Sequence, residues 1–248
     1  MELDTIIQGD CIEEMQAMPD NSIDLVVTSP PYNVGIEYDT FNDKRPYPAY
    51  LYWCRQWLAE ILRVLKPDGR LCLDHYLSCG TAEYRFVPLM DLNAIALSLG
   101  FKHHGIAIWW DITLTERTAW GSWLSASAPY INSPFEGILI LFKDHWKKDR
   151  PGATEISKEE FMEACSGVWK IPTDRERLTP ATFPVALAER CIRLLSWEGD
   201  IVFDPFSGSG TTCIAAKKTG RRFVGIELSP AYCQVARERI MGVSAEVE

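Results

Sequence analysis

A short turn at residues 28–33 carries the side chains best suited to chemistry in this chain. It reads Thr-Ser-Pro-Pro-Tyr-Asn and directly follows the apolar run at residues 23–27. The two prolines fix their own φ angles and supply no N–H groups, which predicts a rigid turn with free carbonyl oxygens. With a hydroxyl and an aromatic ring beside those oxygens, the turn suits a planar group that has an amino substituent, such as a nucleobase. A turn that only ends a strand, with the tyrosine in the core, is the alternative.

A second motif lies at residues 202–212, which read Val-Phe-Asp-Pro-Phe-Ser-Gly-Ser-Gly-Thr-Thr. The pattern predicts a strand that passes through small residues into a helix, whose first N–H groups can face a ligand. Glu227 ends the next predicted strand, where a carboxylate can meet ribose hydroxyls in a Rossmann-like unit. No Gly-Lys-[Ser/Thr] and no third spaced glycine follow, so the turn matches neither a P-loop nor a dinucleotide motif. We therefore expect a nucleoside ligand without a pyrophosphate, the alternative being a glycine turn without a ligand.

Composition limits the class of protein. The 248 residues, 47% of them hydrophobic, are enough for one domain with a large core. The apolar runs are shorter than the roughly 20 residues of a membrane span, and the first residues do not resemble a signal peptide. Eight cysteines are scattered without a Cys-x-x-Cys pair or a Cys/His cluster, which predicts reduced thiols, no metal site and a cytoplasmic protein. The net charge of −9 argues against indiscriminate binding to nucleic acid but permits local basic patches.

Short apolar segments alternate with helical patterns along the chain, which predicts an α/β sheet. Strands are predicted at residues 5–8, 23–28, 70–74, 105–110, 137–142, 200–203 and 222–226. Helices are predicted at residues 50–65, 88–99, 181–196, 211–219 and 230–240, with a short helix after Asp10. The strands at 105–110 and 137–142 are expected to pair antiparallel. Residues 143–170 are polar and weakly periodic, which indicates a small inserted segment.

The two motifs together resemble those of DNA amino-methyltransferases, which transfer methyl from S-adenosylmethionine to a base amine. The matching residues are Ser29-Pro30-Pro31-Tyr32 in the first motif, and Asp204-Pro205-Phe206, Gly208, Gly210 and Thr211 in the second. Their order, with the catalytic turn first and the cofactor turn near the C-terminus, resembles the beta class. The resemblance covers nearly the whole chain, including residues 63–69 and 180–184. One departure is Thr179, where relatives often carry histidine.

This resemblance implies a circularly permuted, Rossmann-like methyltransferase fold. Its sheet would be mostly parallel and seven-stranded, with an antiparallel hairpin at one edge. Residues 1–142 would form the catalytic half of the domain, 143–170 a small target-recognition segment, and 171–248 the cofactor-binding half. The strands that end at Thr28 and Asp204 would lie side by side, so that both turns meet at the carboxyl edge of the sheet.

The resemblance also implies roles for individual residues. Ser29 Oγ and the Pro30 carbonyl would accept hydrogen bonds from the base amine beside Pro31, and Tyr32 would stack on a base flipped out of the duplex. Asp10 would contact the adenine amine of the donor and Glu227 its ribose. The remaining contacts to S-adenosylmethionine would come from Asp204, Pro205, Phe206, Gly208, Gly210, Thr211, Leu228, Thr182, Phe183 and Pro184.

Three segments are candidates for contact with double-stranded DNA. Residues 33–50 are expected to form a loop over the flipped base. Trp120 and Trp123 lie in a Gly/Ser-rich loop and could stack on bases, although a packed hairpin edge is the alternative. The basic cluster at residues 143–150, with Lys143, Lys147, Lys148 and Arg150, could bind phosphates or form a solvated loop.

Serine in the first position of the catalytic motif resembles the cytosine-N4 branch, since adenine-N6 enzymes more often carry Asp or Asn there. We therefore expect methylation of cytosine N4, with adenine N6 as the alternative. The absence of a Pro-Cys dipeptide excludes a carbon-5 cytosine enzyme. An inactive DNA-binding protein of the same fold, and a methyltransferase acting on RNA or a protein glutamine, are further alternatives. A restriction endonuclease partner and a monomeric or homodimeric state are also expected.

Overall fold

Helices cover both faces of one mixed β-sheet whose strands follow the apolar runs of the sequence. The computed structural model describes residues 1–80, 85–113, 121–131, 135–174, 178–180 and 182–243. The strands are β1 (Thr5–Gln8), β2 (Ile23–Thr28), β3 (Leu65–Tyr76), β4 (Cys79–Gly80), β5 (Arg85–Phe86), β6 (Lys102–Trp110), β7 (Phe135–Phe142), β8 (Val168–Lys170), β9 (Ile201–Asp204) and β10 (Arg222–Glu227). The helices are α1 (Cys11–Gln16), α2 (Tyr47–Val64), α3 (Pro88–Leu99), α4 (Lys158–Ala164), α5 (Val185–Leu195), α6 (Thr211–Lys218) and α7 (Pro230–Met241).

The strand order in the main sheet is β1-β10-β9-β2-β3-β7-β6-β8. The first five strands are parallel, and β7 runs antiparallel to both β3 and β6. This arrangement confirms the predicted α/β class and the antiparallel pairing of the hairpin. The described sheet has eight strands instead of seven because β8 pairs in parallel with β6. Trp169, fully buried, fixes β8 by donating from its ring nitrogen to Ala164 O at 2.8 Å.

Two hydrophobic cores lie on opposite faces of this sheet. Residues of α1, α2 and α3 form one core, which includes the fully buried Trp57, and residues of α5, α6 and α7 form the other. All eight cysteines are free. No helix in the described ranges has the length and apolar character needed to span a membrane.

Three element boundaries differ from the prediction for local reasons. α2 begins earlier, at Tyr47, because prolines 46 and 48 fit the first turn of a helix. α5 begins later, at Val185, because Pro184 is extended (φ −71°, ψ 150°). β3 begins at Leu65, and residues 66–69 form a bulge, since Ile23 pairs with Leu65 while Leu25 pairs with Arg70.

The neighbouring strands β9 and β2 mark the point where the connections of the sheet reverse direction. From β9 the chain passes through α6 on one face to β10, whereas from β2 it passes through α2 on the other face to β3. A crevice forms outside the carboxyl ends of strands at such a switch point. The structure therefore confirms that Thr28 and Asp204 end adjacent strands at one edge.

A buried carboxylate fixes the opposite, amino end of these strands. Asp24 is 3% exposed, accepts two hydrogen bonds of 2.7 Å from Lys66 Nζ, and accepts one of 2.9 Å from Ile201 N in β9. It therefore joins β2, the bulge in β3 and β9. Removing the charge leaves the half-buried ammonium of Lys66 without its ion-pair partner and the backbone N–H of Ile201 with a weaker acceptor.

We expect Asp24→Asn to lower the free energy of unfolding by about 1–3 kcal/mol, measured by urea denaturation. Asp20→Asn is the matched control, because the Asp20 side chain is 66% exposed and its ion pair with Arg63 lies at the surface. Its loss should stay below about 1 kcal/mol. Equal losses in the two variants would contradict the role given to Asp24.

Candidate active site

The Ser29-Pro30-Pro31-Tyr32 turn leaves β2 at the carboxyl edge and is held by an ordered chain of hydrogen bonds. Ser29 Oγ donates to Tyr32 Oη at 2.7 Å, and Tyr32 Oη donates to Glu136 Oε2 at 2.6 Å. A serine hydroxyl has one proton and two lone pairs. Because the proton of Ser29 is directed at Tyr32, its lone pairs are left to accept hydrogen bonds from an amine.

The carbonyl groups of the two prolines have different surroundings. Pro31 O accepts a hydrogen bond of 3.0 Å from Tyr50 Oη, which also lies 2.9 Å from His75 Nε2. Among the described residues, no hydrogen-bond donor reaches the Pro30 carbonyl. Pro30 O is thus an acceptor next to Ser29 that no described donor occupies.

The Tyr32 ring packs against other aromatic side chains. Its side chain is 8% exposed and stacks on His75 with 4.2 Å between ring centroids and 28° between planes. Tyr76 contacts it edge-on at 4.7 Å. Burial lowers the pKa of His75 to about 3, so the imidazole is neutral. One face of the tyrosine ring is therefore occupied, and stacking on a base stays a prediction.

Two carboxyl groups, the buried Asp74 and the half-buried Glu136, lie next to the Tyr32 hydroxyl. Asp74 Oδ2 is 3.3 Å from Tyr32 Oη. Burial, followed by the charge of Glu136, raises the pKa of Asp74 well above its usual range, and burial raises the pKa of Glu136 to about 7. Two carboxyl groups this close do not both ionise at neutral pH, so the pair retains a proton.

The second turn is tied to the first by Asp204 at the end of β9. Asp204 Oδ1 accepts hydrogen bonds from Thr28 Oγ1 at 2.7 Å and from Phe206 N at 3.0 Å. Asp204 is 2% exposed, and burial raises its pKa to about 6. It lies beneath the turn and connects the end of β9 to the end of β2.

Two glycines allow the second turn to lead into α6 while it packs closely against α7. Gly208 and Gly210 have φ angles of 51° and 83°, which favour glycine, and a Cβ on Gly210 would lie 3.0 Å from Ala236 Cβ. Gly208 N donates to Glu227 Oε2 at 2.7 Å, and Ser229 N donates to Glu227 Oε1 at 2.8 Å. Glu227 thus joins the glycine turn to the start of α7, and burial raises its pKa.

One cavity, of about 100 Å³, brings the two turns together. The residues that line it are Gly9, Asp10, Cys11, Ser29, Pro31, Tyr38, Thr40, Phe41, Trp53, Thr179, Pro205, Phe206, Gly208, Glu227, Leu228 and Tyr232. Asp10 also caps α1, since its Oδ1 accepts from Ile12 N at 2.9 Å. Asp10 and Glu227 of the predicted cofactor site and Ser29 of the predicted catalytic site therefore line the same cavity.

Several predicted residues support this cavity without lining it. Asp204, Gly210 and Thr211 of the second motif and Pro30 and Tyr32 of the catalytic turn are all buried and do not line the cavity. Thr182, Phe183 and Pro184 do not line the cavity either. Phe183 is buried in the core on the α5 face of the sheet, and Pro184 precedes α5. Phe183 and Pro184 are thus buried outside the cavity.

Thr179 and the loop after Tyr32 are residues that the sequence assigned incompletely. Thr179 is 5% exposed, and its Oγ1 is a buried polar atom with no hydrogen-bond partner in the described part of the chain. A Cβ on Gly208 would lie 3.8 Å from it. The sequence showed Thr179 only as a departure from its relatives.

The loop after Tyr32 spans residues 33–46, because α2 already begins at Tyr47. Tyr38, Thr40 and Phe41 of this loop line the cavity.

The predicted DNA-binding residues divide between the two edges of the sheet. Trp120 lies outside the described residues. Trp123, 73% exposed, belongs to the segment between β6 and β7, which emerges at the carboxyl edge because Trp110 pairs with Phe135 there. Leu124, in the same segment, is 89% exposed. This part of the prediction thus lies at the same edge of the sheet as the catalytic turn.

The basic cluster lies at the opposite edge, and two of its lysines bind internal groups. Lys143 Nζ donates to Leu65 O and Asn21 Oδ1, both at 2.8 Å. The Lys148 side chain is 6% exposed and lies 3.6 Å from Asp200 Oδ2. Phosphate binding by these two lysines stays a prediction, and it would compete with these internal contacts, which the sequence did not show.

The other two cations of this cluster are at the surface. Lys147 is exposed, and Arg150, whose side chain is 66% exposed, pairs with Asp200 Oδ1 at 3.1 Å. They lie at the amino edge, since β7 ends beside Arg70 at the start of the regular part of β3. In the ranges that the structure describes, no group of three or more His, Cys, Asp or Glu side chains is arranged to hold a metal ion.

The permuted sheet and the cavity between its two motif turns define a Rossmann-like α/β protein of the methyltransferase class. Residues 23–238 match the N6/N4 methyltransferase family described as DNA methylase, and the chain therefore belongs to that family. It is similar to the type II methyltransferase M.MjaVI of Methanocaldococcus jannaschii, with 47% identity over 160 residues that cover 64% of this chain and 82% of that protein.

Two further relatives cover nearly the whole chain. The DNA adenine methyltransferase YhdJ of Escherichia coli is 28% identical, with 96% of this chain and 83% of that protein covered. The crystal structure of TTHA0409, a DNA modification methylase of Thermus thermophilus complexed with S-adenosyl-L-methionine, matches with a TM-score of 0.77 and 33% identity. That match covers 95% of this chain and 92% of the solved chain.

The carboxyl pair predicts a pH dependence of stability. The pKa of Glu136 is about 7 in the folded protein against an ordinary value of 4.5, so between these pH values the folded state holds a proton that the unfolded chain has lost. The stability contributed by Glu136 is therefore fully present below pH 4.5 and is lost as the pH rises through 7.

We expect the free energy of unfolding to fall more steeply between pH 4.5 and 7 in the wild-type protein than in Glu136→Gln. Urea denaturation at several pH values measures both slopes. Asp204, whose pKa of about 6 is also raised, acts in the same direction in both proteins. Identical slopes would show that Glu136 does not hold the proton.

Proposed function

We propose that this DNA methyltransferase transfers the methyl group of S-adenosylmethionine to the exocyclic N4 amine of a cytosine flipped out of double-stranded DNA. The family is S-adenosylmethionine-dependent. The observation that carries the proposal is the single cavity lined by Ser29 and Pro31 on one side and by Gly208 and Glu227 on the other. An acceptor amine and a methyl donor held on those two sides would face each other.

The chemistry needs alignment more than acid or base catalysis. The donor supplies an electrophilic methyl group on a sulfonium, and its transfer is an in-line displacement in which nitrogen, methyl and sulfur must be collinear. The amine nitrogen of cytosine is a weak nucleophile because its lone pair is delocalised into the ring. Hydrogen bonds from the amine to Ser29 Oγ and Pro30 O would turn that lone pair toward the methyl group.

The residues of the cavity fit a nucleoside donor. Glu227 lines the cavity at the position where ribose hydroxyls are bound in Rossmann-like folds, and Leu228 and Phe206 supply apolar surface beside it. Asp10 adds a carboxylate next to Gly9. Thr179 Oγ1 is buried and has no partner among the described residues, and a bound donor would supply the polar atom that satisfies it.

The choice of cytosine rests on serine as the first residue of the catalytic motif. Adenine N6 is the alternative, supported by the 28% identity to the adenine methyltransferase YhdJ over 96% of this chain. The Ser29 proton is directed at Tyr32, so a hydrogen bond from Ser29 to the ring nitrogen does not favour either base. The hydroxyl and carbonyl acceptors suit the amine of both.

The loop at residues 121–131 is our candidate for contact with the DNA beside the flipped base. Its exposed Trp123 and Leu124 lie at the edge of the sheet where the catalytic turn ends. Exposed aromatic side chains stack on bases without strong sequence preference. By analogy with M.MjaVI, which is a type II methyltransferase, we also propose a cognate restriction endonuclease as the functional partner.

Nucleoside mass spectrometry tests the substrate. Duplex DNA treated with the protein and S-adenosylmethionine should contain N4-methylcytosine after digestion to nucleosides. N6-methyladenine in its place would establish the alternative base. Parallel reactions with single-stranded RNA and with protein substrates should give no methylated product, and labelled RNA or glutamine would refute the DNA assignment.

Two point variants separate the acceptor side of the cavity from the donor side. Ser29→Ala should lower kcat by about 100-fold, because the amine loses an aligning acceptor, while the donor Kd changes less than about threefold. Thr179→Val, which keeps the shape but removes the hydroxyl, should raise the donor Kd about tenfold. Calorimetry gives Kd and a methylation assay gives kcat. The reverse pattern would mean that the two sides have been assigned the wrong roles.

A further inference from the structure

Residues 33–46, which we call the strap, connect the catalytic turn to α2. The Asp43 carboxylate, 3% exposed, lies at the centre of the strap. Its oxygens accept hydrogen bonds from four successive backbone N–H groups, those of residues 33–36, at 2.7 to 3.1 Å. Asn33 also exchanges two hydrogen bonds with the backbone of Arg45, at 2.7 and 2.9 Å. The base of the strap is therefore one cross-linked unit.

The tip of the strap lies over the donor side of the cavity. Tyr38, Thr40 and Phe41 form part of its lining, and Phe41 packs against Trp53 with 5.3 Å between ring centroids. Asp39, between these residues, accepts a hydrogen bond of 2.5 Å from Ser229 Oγ. Ser229 is the N-cap of α7 and donates its backbone N–H to Glu227. The tip is thus fastened to the cofactor-binding half.

The cavity is partly open to solvent and is too small to enclose a whole donor molecule, so movement of one of its walls would favour donor binding. Its volume of about 100 Å³ is smaller than the roughly 150 Å³ of a protein cavity that holds benzene, and adenosine is larger than benzene. The wall formed by the two motif turns is fixed by a buried hydrogen bond from Thr28 to Asp204 and a partly buried one from Gly208 to Glu227. Asp39 and Thr40 in the strap are solvent-exposed, so the strap is the wall that can open.

We propose that the strap opens and closes over the donor cavity and that the hydrogen bond between Asp39 and Ser229 is the latch that sets the rate of donor exchange. The proposal rests on the proposed function in placing S-adenosylmethionine in this cavity. Asp43 keeps the base of the strap folded while the tip moves. Asp39 and Ser229 are then positioning residues, which control access without touching the reacting atoms.

Stopped-flow fluorescence tests the latch, with Trp53 in the cavity wall as the probe and S-adenosylhomocysteine and S-adenosylmethionine as ligands. Breaking the latch with Asp39→Ala or Ser229→Ala should raise both the association and the dissociation rate constants, by about three- to tenfold for one lost hydrogen bond. The double variant should exchange no faster than either single variant, because both remove the same interaction.

Two matched variants separate the hydrogen bond from the charge. Asp39→Asn removes the negative charge but keeps an oxygen that can accept from Ser229, so its exchange rates should stay near those of the wild-type protein. Glu37→Ala removes an exposed carboxylate from the same strap without touching the latch and should also exchange at wild-type rates. Thermal denaturation checks Ser229→Ala, since Ser229 Oγ also accepts from Tyr232 N.

The outcomes distinguish the latch from the proposed function. If Asp39→Ala and Ser229→Ala bind the donor with unchanged rate constants, the latch is refuted and the donor site stands. If Glu37→Ala accelerates exchange as much as Asp39→Ala does, the effect is one of charge and the latch is also refuted. If the wild-type protein binds neither ligand in calorimetry, the proposed function fails, and the latch with it.

Discussion

The hydrogen bond from Thr28 to Asp204, 2.7 Å long and fully buried, is the constraint on which the site depends. It joins the ends of two adjacent parallel strands, β2 and β9, from which the chain leaves in opposite directions. One strand leads into the Ser-Pro-Pro-Tyr turn and the other into the glycine turn. Since each turn is short and rigid, fixing the strand ends also fixes the distance between donor and acceptor sides.

Three acidic side chains of low exposure hold the backbone in place around the boundary between β2 and β9. Asp204 holds the two strand ends, Glu227 holds the glycine turn, and Asp43 holds the loop after the catalytic turn. A carboxylate can accept several hydrogen bonds at once, so a single side chain can order a stretch of backbone that has no regular secondary structure. Desolvation is the cost, and it is visible in the raised pKa values of Asp204 and Glu227.

The sequence predicted the sheet and the two turns because these depend on local patterns: apolar runs, prolines after a strand, and glycines before a helix. Asp43 and Thr179 escaped prediction, since their importance comes from contacts with backbone or cavity that no periodicity reveals. The internal contacts of Lys143 and Lys148 could not be predicted for the same reason, because their partners at residues 21, 65 and 200 lie far away in sequence. The short strand β8 was missed because three residues carry too weak a pattern.

The pairing of β2 with β9 also determines when the site can form during synthesis. Thr28 and Asp204 are 176 residues apart, and β1 pairs with β10. During synthesis the catalytic turn therefore leaves the ribosome long before β9 is made. In the same way, β1 cannot pair until β10 is made. Contacts of such long range form late in folding. A nascent chain that ends before β9 contains the residues of only one side of the cavity. The complete cavity forms only when the C-terminal third of the chain has been made.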